Sequence, residues 1–285
     1  RSSNMKLNHG IHLAYCTNIH RGSSWAETFD SLKTHVLAVR KRVCPNDAYA
    51  IGLRLGADAA RELSDRRTLL GFQKWLEQEN CYVFTVNGFP YGQFHGTRVK
   101  EQVYAPDWTT PERVDYTNLL FDLLAEIVPA GVEGSVSTVP VSYKEFIKDD
   151  RQLGEARKNI WKTVEHISKV ARNSGKELHL GLEPEPLCLL ETSEEMVRFM
   201  EQLRSDRPGD LRVDEDLGIN YDCCHLAVEY ESAAEAIGRL KQHKIKFSKI
   251  HISNALKVTP TPDVRRALHA FTDDIYFHQT IARSQ

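Results

Sequence analysis

Short apolar segments alternate with longer amphipathic segments along almost the whole chain, and this alternation restricts the fold more than any other feature. The short segments have the length and composition of buried strands, and the longer ones carry apolar residues at helical spacing. We predict strands at residues 10–16, 50–55, 82–86, 135–139, 178–182, 217–221 and 247–252. We predict helices at residues 25–43, 68–78, 111–127, 153–173, 193–203, 233–243 and 263–270, with Ser193 as an N-cap and Gly175 ending a helix.

Strand-then-helix units of this size predict a parallel sheet, and seven or eight of them favour closure into an α/β barrel of the TIM (β/α)8 type. A doubly wound open sheet is the alternative. Against it, no Gly-x-Gly-x-x-Gly sequence follows the first strand, and polar residues follow many strands rather than one switch point. An eighth strand is not evident: residues 275–281 are the candidate, and otherwise we expect it beyond Gln285. Residues 1–4 resemble a tag remnant, so we predict one domain over residues 5–285.

Charge and cysteine content argue against several other classes of protein. The 37 basic and 39 acidic residues are interleaved, so the chain lacks the basic stripe that duplex nucleic acid requires. The six cysteines have neither the spacing of a zinc knuckle nor the density of a disulfide scaffold. We see no signal peptide and no apolar run long enough for a membrane span. We therefore expect a cytoplasmic protein with reduced thiols that acts on a small-molecule metabolite.

Residues of metal-binding types stand at the ends of three consecutive predicted strands. Glu183 follows the fifth strand, Asp222 follows the sixth, and His251 lies at the end of the seventh. In a barrel the carboxyl ends of all strands meet at one mouth. Oxygen and imidazole ligands suit Mn²⁺, Zn²⁺, Co²⁺ or Mg²⁺, and no matching set of cysteines suggests a closed structural zinc site. The sequence therefore predicts an open, catalytic divalent-metal site.

Other polar residues belong to the same predicted mouth. The candidates for substrate contact are Asn87, His95 and Lys100 of the loop after the third strand, Glu185, His225, Asn254 and Lys257. The third-loop residues, Glu185 and His225 each have a structural alternative. Asp222 with His225 also fits a helix cap followed by a histidine on the helix face. Glu185 lies between two prolines and could position its loop, and the third loop is rich enough in glycine for its polar residues to serve its own architecture.

Three motifs resemble those of the xylose-isomerase-like barrels: LGLEPEP, the Asp-x-x-His of NYDCCH, and KIHISNA. That superfamily includes sugar isomerases, ketose epimerases and nucleases of the endonuclease IV type. The resemblance implies that Glu183, Asp222 and His251 are metal ligands. It also implies that His225 binds substrate or serves as a further ligand, and Lys257 stands where the epimerases commonly have an arginine.

One part of the superfamily pattern is missing from this sequence. The enzymes normally take a further ligand and base from a glutamate on strand eight, and no such glutamate is identifiable here. The nuclease branch instead adds histidines before the last strand. His278 could act as a ligand in that way, with His95 entering from the third loop.

Longer stretches resemble the EboE family of metabolite traffic proteins over nearly the whole chain. They are MKLNHGIHLAYCTNIHRG, NGFPYGQFHG, VYAPDW and YFHQTIA. This resemblance implies handling of a prenylated or aromatic secondary metabolite, with metabolite-transport or prenyltransferase enzymes as partners. The aromatic residues of the third loop, among them Phe89, Tyr91, Phe94, Tyr104 and Trp108, could stack on such a ligand or could order the loop.

The leading hypothesis is a metal-dependent isomerase or epimerase of a small polyhydroxylated or carbonyl metabolite. A metal ion polarises the carbonyl and stabilises the enediolate that forms when a carboxylate removes the neighbouring proton. Glu183 is the ligand nearest a base role, His225 would bond a substrate oxygen, and Lys257 would neutralise developing charge. One alternative is an EboE-like binding protein without turnover. Another is an endonuclease IV-like phosphodiesterase, which the near-neutral charge disfavours.

Overall fold

A parallel sheet with its strands in chain order forms the centre of the molecule. The computed structural model describes residues 5–92, 100–271 and 279–283. The strands are β1 Tyr15–Cys16, β2 Tyr49–Arg54, β3 Cys81–Asn87, β4 Gly134–Thr138, β5 Leu178–Leu182, β6 Leu217–Asp222 and β7 Lys246–His251. Each strand pairs in parallel with the next one along the chain. Sequential parallel strands joined through helices are the arrangement of an α/β barrel.

The sheet is curled, because side chains of strands that are not neighbours meet inside it. Lys249 of β7 donates hydrogen bonds to Asn87 of β3 and to Ser137 of β4. In a flat sheet, β7 and β3 would lie four strands apart, about 19 Å at the usual strand spacing. The prediction of an α/β barrel is confirmed.

Helices follow the strands and pack on the outside of the sheet. They are α1 Trp25–Ser31, α2 Leu37–Val43, α3 Ala57–Leu63, α4 Arg66–Gln78, α5 Pro111–Ile127, α6 Asp150–Ser174, α7 Ser193–Asp206, α8 Arg212–Asp216, α9 Cys223–Val228, α10 Ala233–Gln242 and α11 Pro262–Leu268. A π-helical turn, Leu32–Val36, joins α1 to α2, so residues 25–43 are helical throughout, as predicted. Helix α3 was not predicted.

Helix α6 shows how the amphipathic pattern forms the core. Its buried apolar residues include Ile160, Val164 and Ile167, which recur every three or four positions and therefore face the sheet together. Gly175 ends the helix in the left-handed conformation, at φ 66°, as predicted. The predicted cap of α7 is wrong by one residue: Thr192 is the N-cap, and it forms a reciprocal capping box with Glu195.

An eighth strand does not occur in the residues that the structure describes. Of the candidate segment 275–281, residues 275–278 lie outside the described part, and residues 279–281 are not in a strand. Strand β1 is shorter than predicted, because only Tyr15 and Cys16 pair with β2. The presumed tag, residues 1–4, also lies outside the described ranges. None of the described helices combines the length and the apolar character that crossing a membrane would require.

Candidate metal centre

The carboxyl ends of β5, β6 and β7 bring Glu183, Asp222 and His251 together. Nδ1 of His251 lies 3.3 Å from Oε1 of Glu183 and 3.3 Å from Oδ2 of Asp222. One possible ligand atom from each residue lies within 4.8 Å of the other two. Both carboxylates are more than nine-tenths buried. The three predicted metal ligands therefore converge as the barrel topology requires.

Each carboxylate has one oxygen held by the protein and the other directed at His251. Asn220 donates from Nδ2 to Oε2 of Glu183 at 2.7 Å. The hydroxyl of Ser253 donates to Oδ1 of Asp222 at 2.5 Å, and the same oxygen accepts from the backbone N–H groups of Cys224 and His225. Asp222 is therefore the N-cap of α9 and a candidate ligand at once, so the two interpretations of this residue are compatible.

The electrostatics of the cluster favour a positive charge between the two carboxylates. Burial raises the pKa of Asp222, but His251, His225 and Ser253 outweigh it and hold that pKa well below its ordinary value. The pKa of Glu183 is lowered too, because the nearby histidines outweigh its burial. Burial lowers the pKa of His251, and the two carboxylates outweigh burial and raise it overall. A proton on His251 or a bound cation would satisfy the site.

The donor set fits a divalent ion. Ligand atoms about 2.1 Å from a shared ion in tetrahedral or octahedral geometry lie about 3.0 to 3.4 Å from one another. The two 3.3 Å separations at His251 agree with that spacing. Two carboxylates and one imidazole also match the three protein ligands that catalytic metal sites commonly have. Glu183, Asp222 and His251 could therefore hold a metal ion with positions left for a substrate.

His225 and Glu185 form a second layer beside these three residues. His225 Nδ1 lies 3.1 Å from the carbonyl oxygen of Pro184, to which it donates, and 3.9 Å from Oε1 of Glu183. Burial lowers the pKa of His225, but the neighbouring carboxyl groups, Glu185 foremost, outweigh burial and raise it. Asp222, Cys224 and His225 also have possible ligand atoms within 4.8 Å of one another. His225 therefore lies next to Glu183, and its predicted role as a substrate contact or further ligand stays a prediction.

Glu185 is a buried carboxyl group at the same mouth. Its Oε1 accepts from the hydroxyl of Tyr104 at 3.0 Å and from Nε2 of Gln279 at 2.9 Å. Burial raises the pKa of Glu185 above its ordinary value. Its Oε2 is buried and has no hydrogen-bond partner among the described residues. Burial therefore makes the ionised form of Glu185 less favourable than that of an exposed glutamate.

Lys249 and Asn87 occupy the interior of the barrel beside His251. Asn87, a predicted substrate contact, accepts at Oδ1 from Nζ of Lys249 at 2.5 Å and lies 3.2 Å from Nε2 of His251. The ammonium group of Lys249 is deeply buried, and burial lowers the pKa of Lys249 to about 8. Sequence reasoning missed Lys249 and Asn220. Each lies two residues before a predicted ligand. Because side chains alternate between the two faces of a strand, residues two positions apart share a face, and this rule could have identified both.

Two other predicted site residues, Asn254 and Lys257, do not join this cluster. Asn254 is exposed. Lys257 is exposed as well, and its ammonium group lies over the ring of Tyr230, 5.6 Å from the ring centroid. His95 and His278 lie outside the described residues, and so does the side chain of Lys100. Their predicted roles stay predictions.

Aromatic residues of the third loop pack on one another. Tyr104 is stacked between Phe89 and Tyr143, at centroid distances of 5.6 and 5.2 Å, and is fully buried. Arg113 of α5 donates to the carbonyl oxygens of Gly88 and Pro106, each at 2.8 Å, and so ties the two ends of the loop together. In the described part of the loop, Tyr104 therefore orders the loop instead of offering a face to a ligand.

Sequence comparison finds no protein-family profile and no curated protein that matches the chain. Among solved structures, it is similar to a D-tagatose 3-epimerase-like protein, with a TM-score of 0.47 and 17% identity over 78% of this chain and 72% of that one. It is similar to the IolI protein with a bound zinc atom, with a TM-score of 0.47 and 16% identity over 87% and 82%. It is also similar to a xylose isomerase-like TIM barrel protein from Mycobacterium smegmatis in complex with magnesium. The TM-score is 0.49, and the identity is 17% over 83% of this chain and 69% of that one.

The third of these neighbours is described as xylose isomerase-like, as are the barrels that the three sequence motifs resemble. None of them concerns the EboE type, so that closer resemblance stays a prediction. The three TM-scores lie below 0.5.

Proposed function

We propose that the protein is a metal-dependent isomerase or epimerase of a small sugar-like or carbonyl metabolite. The observation that carries this proposal is the convergence of Glu183, Asp222 and His251, with 3.3 Å between Nδ1 of His251 and an oxygen of each carboxylate. The cluster lies at the carboxyl ends of β5, β6 and β7, where barrel enzymes bind their substrates. A purely structural ion pair would not need two carboxylates that share one imidazole nitrogen.

Glu183, Asp222 and His251 would hold a divalent ion, with Mn²⁺, Zn²⁺, Mg²⁺ and Co²⁺ as the candidates. Such an ion supplies Lewis acidity that polarises a substrate carbonyl and the adjacent hydroxyl. Glu183 is the candidate base for the proton next to that carbonyl, since it lies at the mouth of the barrel and its lowered pKa keeps it ionised at neutral pH. Asn220 keeps one of its oxygens fixed, so the other is oriented before substrate arrives.

His225 and Glu185 would handle the substrate oxygens. His225 donates from Nδ1 to the backbone, which leaves its other ring nitrogen for a substrate hydroxyl. Glu185 carries the raised pKa of a buried acid, so a proton on its carboxyl can be donated to an oxygen that gains charge. The two carboxyl groups have pKa values shifted in opposite directions, and such a difference allows one to act as a base and the other as an acid.

Exchange of substrate protons with solvent tests this function. The protein loaded with Mn²⁺ or Zn²⁺ is incubated in D₂O with a panel of small ketoses and hydroxyketones, and deuterium next to the carbonyl is measured by NMR. We expect incorporation by the wild type and by a surface control that removes the exposed pair of Glu201 and His243. Asp222→Ser should abolish it. A metal-loaded wild type that exchanges no proton on any substrate would contradict the proposal and favour a metabolite-binding barrel.

A further inference from the structure

The protonation of the His251 ring decides whether this residue can serve as a metal ligand. A neutral imidazole has one nitrogen with a proton and one with a lone pair, and only the second can bind a metal. In this site Nδ1 faces the two carboxylates and Nε2 faces the barrel interior. His251 can therefore bind an ion between the carboxylates only if its proton is held on Nε2.

Lys249 and the hydroxyl of Ser137 both donate to Oδ1 of Asn87, and of the two only the ammonium group cannot also accept. A lysine ammonium group can only donate, so the atom 2.5 Å from Nζ must be the amide oxygen of Asn87 and not its nitrogen. On the other side, Nδ2 of Asn87 donates to Oδ1 of Asn18 at 2.9 Å. Turning the amide over would place two donors against each other at Lys249. The amide oxygen is therefore fixed toward the interior.

The fixed oxygen of Asn87 in turn determines the tautomer of His251. Nε2 of His251 lies 3.2 Å from that oxygen, which can only accept, so a hydrogen bond there requires a proton on Nε2. In the neutral ring, Nδ1 then keeps its lone pair.

Asn220 contacts the His251 ring on the side of Nδ1. Its Nδ2 donates to Oε2 of Glu183 at 2.7 Å, which identifies that atom as the amide nitrogen. The same nitrogen lies 3.3 Å from Nδ1 of His251. Without an ion the two carboxylates favour a proton on Nδ1, and with an ion between them the Asn220 donor matches the lone pair that Nδ1 then offers. The amides of Asn87 and Asn220 are therefore both compatible with a metal-bound His251 that carries its proton on Nε2.

We propose that Lys249 is a positioning residue that acts through Asn87 to hold the His251 proton on Nε2, so that the Nδ1 lone pair points to the ion between Glu183 and Asp222. This inference rests on the proposed metal site and adds the residue that prepares one of its ligands. The cost of burying a lysine in the barrel is large, and hydrogen bonds to Asn87 and Ser137 offset part of it. Metal ligands generally need such a partner on the other ring nitrogen, and losing one weakens binding about 10- to 100-fold.

The test combines a loss with a specific rescue. In Lys249→Met the Asn87 oxygen loses its donor-only partner and keeps only the Ser137 hydroxyl, which can also accept, and we expect Zn²⁺ affinity, measured by calorimetry, to fall about 10- to 100-fold. Adding Asn87→Asp supplies a side chain with two acceptor oxygens and no donor, which needs no lysine to orient it. The double variant should recover most of the affinity. Lys246→Met, on the same strand with its ammonium group on a backbone carbonyl, is the control and should bind as the wild type does.

A spectroscopic readout separates positioning from loss of structure. With ¹⁵N-labelled histidine in the Zn²⁺-loaded wild type, long-range ¹H–¹⁵N spectra should show a proton on Nε2 of His251 and none on Nδ1. A proton on Nδ1, wild-type affinity in Lys249→Met, or no rescue by Asn87→Asp would each overturn the inference while leaving the metal site intact. A wild type that binds no metal at all would overturn the proposed function and this inference with it.

Discussion

Asn220 donates from Nδ2 to Oε2 of Glu183 at 2.7 Å, and this contact leaves Oε1 of Glu183 facing His251. Both residues are buried, so the hydrogen bond is made where water cannot replace it. A carboxylate held in this way is oriented for a ligand before the ligand binds.

Replacing Asn220 with leucine removes that donor and keeps a side chain of similar size. Glu183 would then be a buried carboxylate with one oxygen unsatisfied, which costs about 1 to 3 kcal/mol. We expect a lower free energy of unfolding by about that amount in urea titration, and metal affinity about 10- to 100-fold weaker by calorimetry. Unchanged stability and unchanged affinity would show that Glu183 does not depend on Asn220.

The two functions of Asp222 can be separated by substitution. Asp222→Ser keeps an oxygen that can cap α9, whereas Asp222→Ala keeps none. Both variants should lose metal binding, because both lose the oxygen that faces His251. The alanine variant should be about 0.5 to 2 kcal/mol less stable than the serine variant in urea. Equal stabilities would mean that the cap contributes nothing, and retained metal would exclude Asp222 as a ligand.

Metal affinity should depend on pH through His251. The pKa of His251 is raised above 6.5, so a proton competes with the ion at Nδ1 as pH falls through that raised pKa. The affinity should fall about tenfold for each further unit of pH and level off above the pKa. Glu183 and Asp222 stay ionised over this range because their pKa values are lowered. Calorimetry in buffers of different ionisation enthalpy should detect the released proton, and its absence would contradict this account.

Glu185 should lower the stability of the protein at neutral pH relative to acid. Its folded pKa is raised above 4.5, so the stability linked to its proton is full below the unfolded pKa and is lost as pH rises through the folded pKa. Glu185→Gln keeps the acceptor for Tyr104 and cannot ionise. In urea the variant should be at least as stable as the wild type at neutral pH, and the advantage should vanish below about pH 4. If the stability of the variant relative to wild type is lower at neutral pH than in acid, the folded pKa of Glu185 is not raised.

Much of the fold could be predicted from the sequence, because the apolar patterns and helix-end residues of single segments indicate the same strands and helices that the barrel contains. Helix α5 begins at Pro111 and ends at Ile127 as predicted, and β5 has its predicted bounds of Leu178–Leu182. Helix α3 was missed because it is only seven residues long and follows β2 after two residues. Strand β1 was overextended because apolar composition does not reveal which residues find a pairing partner.

Part of the candidate site could likewise be predicted from the sequence, and part of it could not. Strand ends share one mouth in any barrel, so Glu183, Asp222 and His251 could be predicted from position alone. The contacts of Lys249 with Asn87 and of Asn87 with His251 could not, because they join β7 to β3 across the interior. Such contacts depend on how tightly the sheet curls, which no local pattern records.

The proposed function requires one divalent ion bound between Glu183, Asp222 and His251. Elemental analysis detects this ion in protein that has been stripped with a chelator, reloaded with Mn²⁺ or Zn²⁺ and dialysed. We expect about one equivalent in the wild type and in the Glu201→Gln/His243→Gln surface control, and almost none in Asp222→Asn/His251→Gln. A wild type without metal, or a site variant that retains as much metal as the wild type, would contradict it.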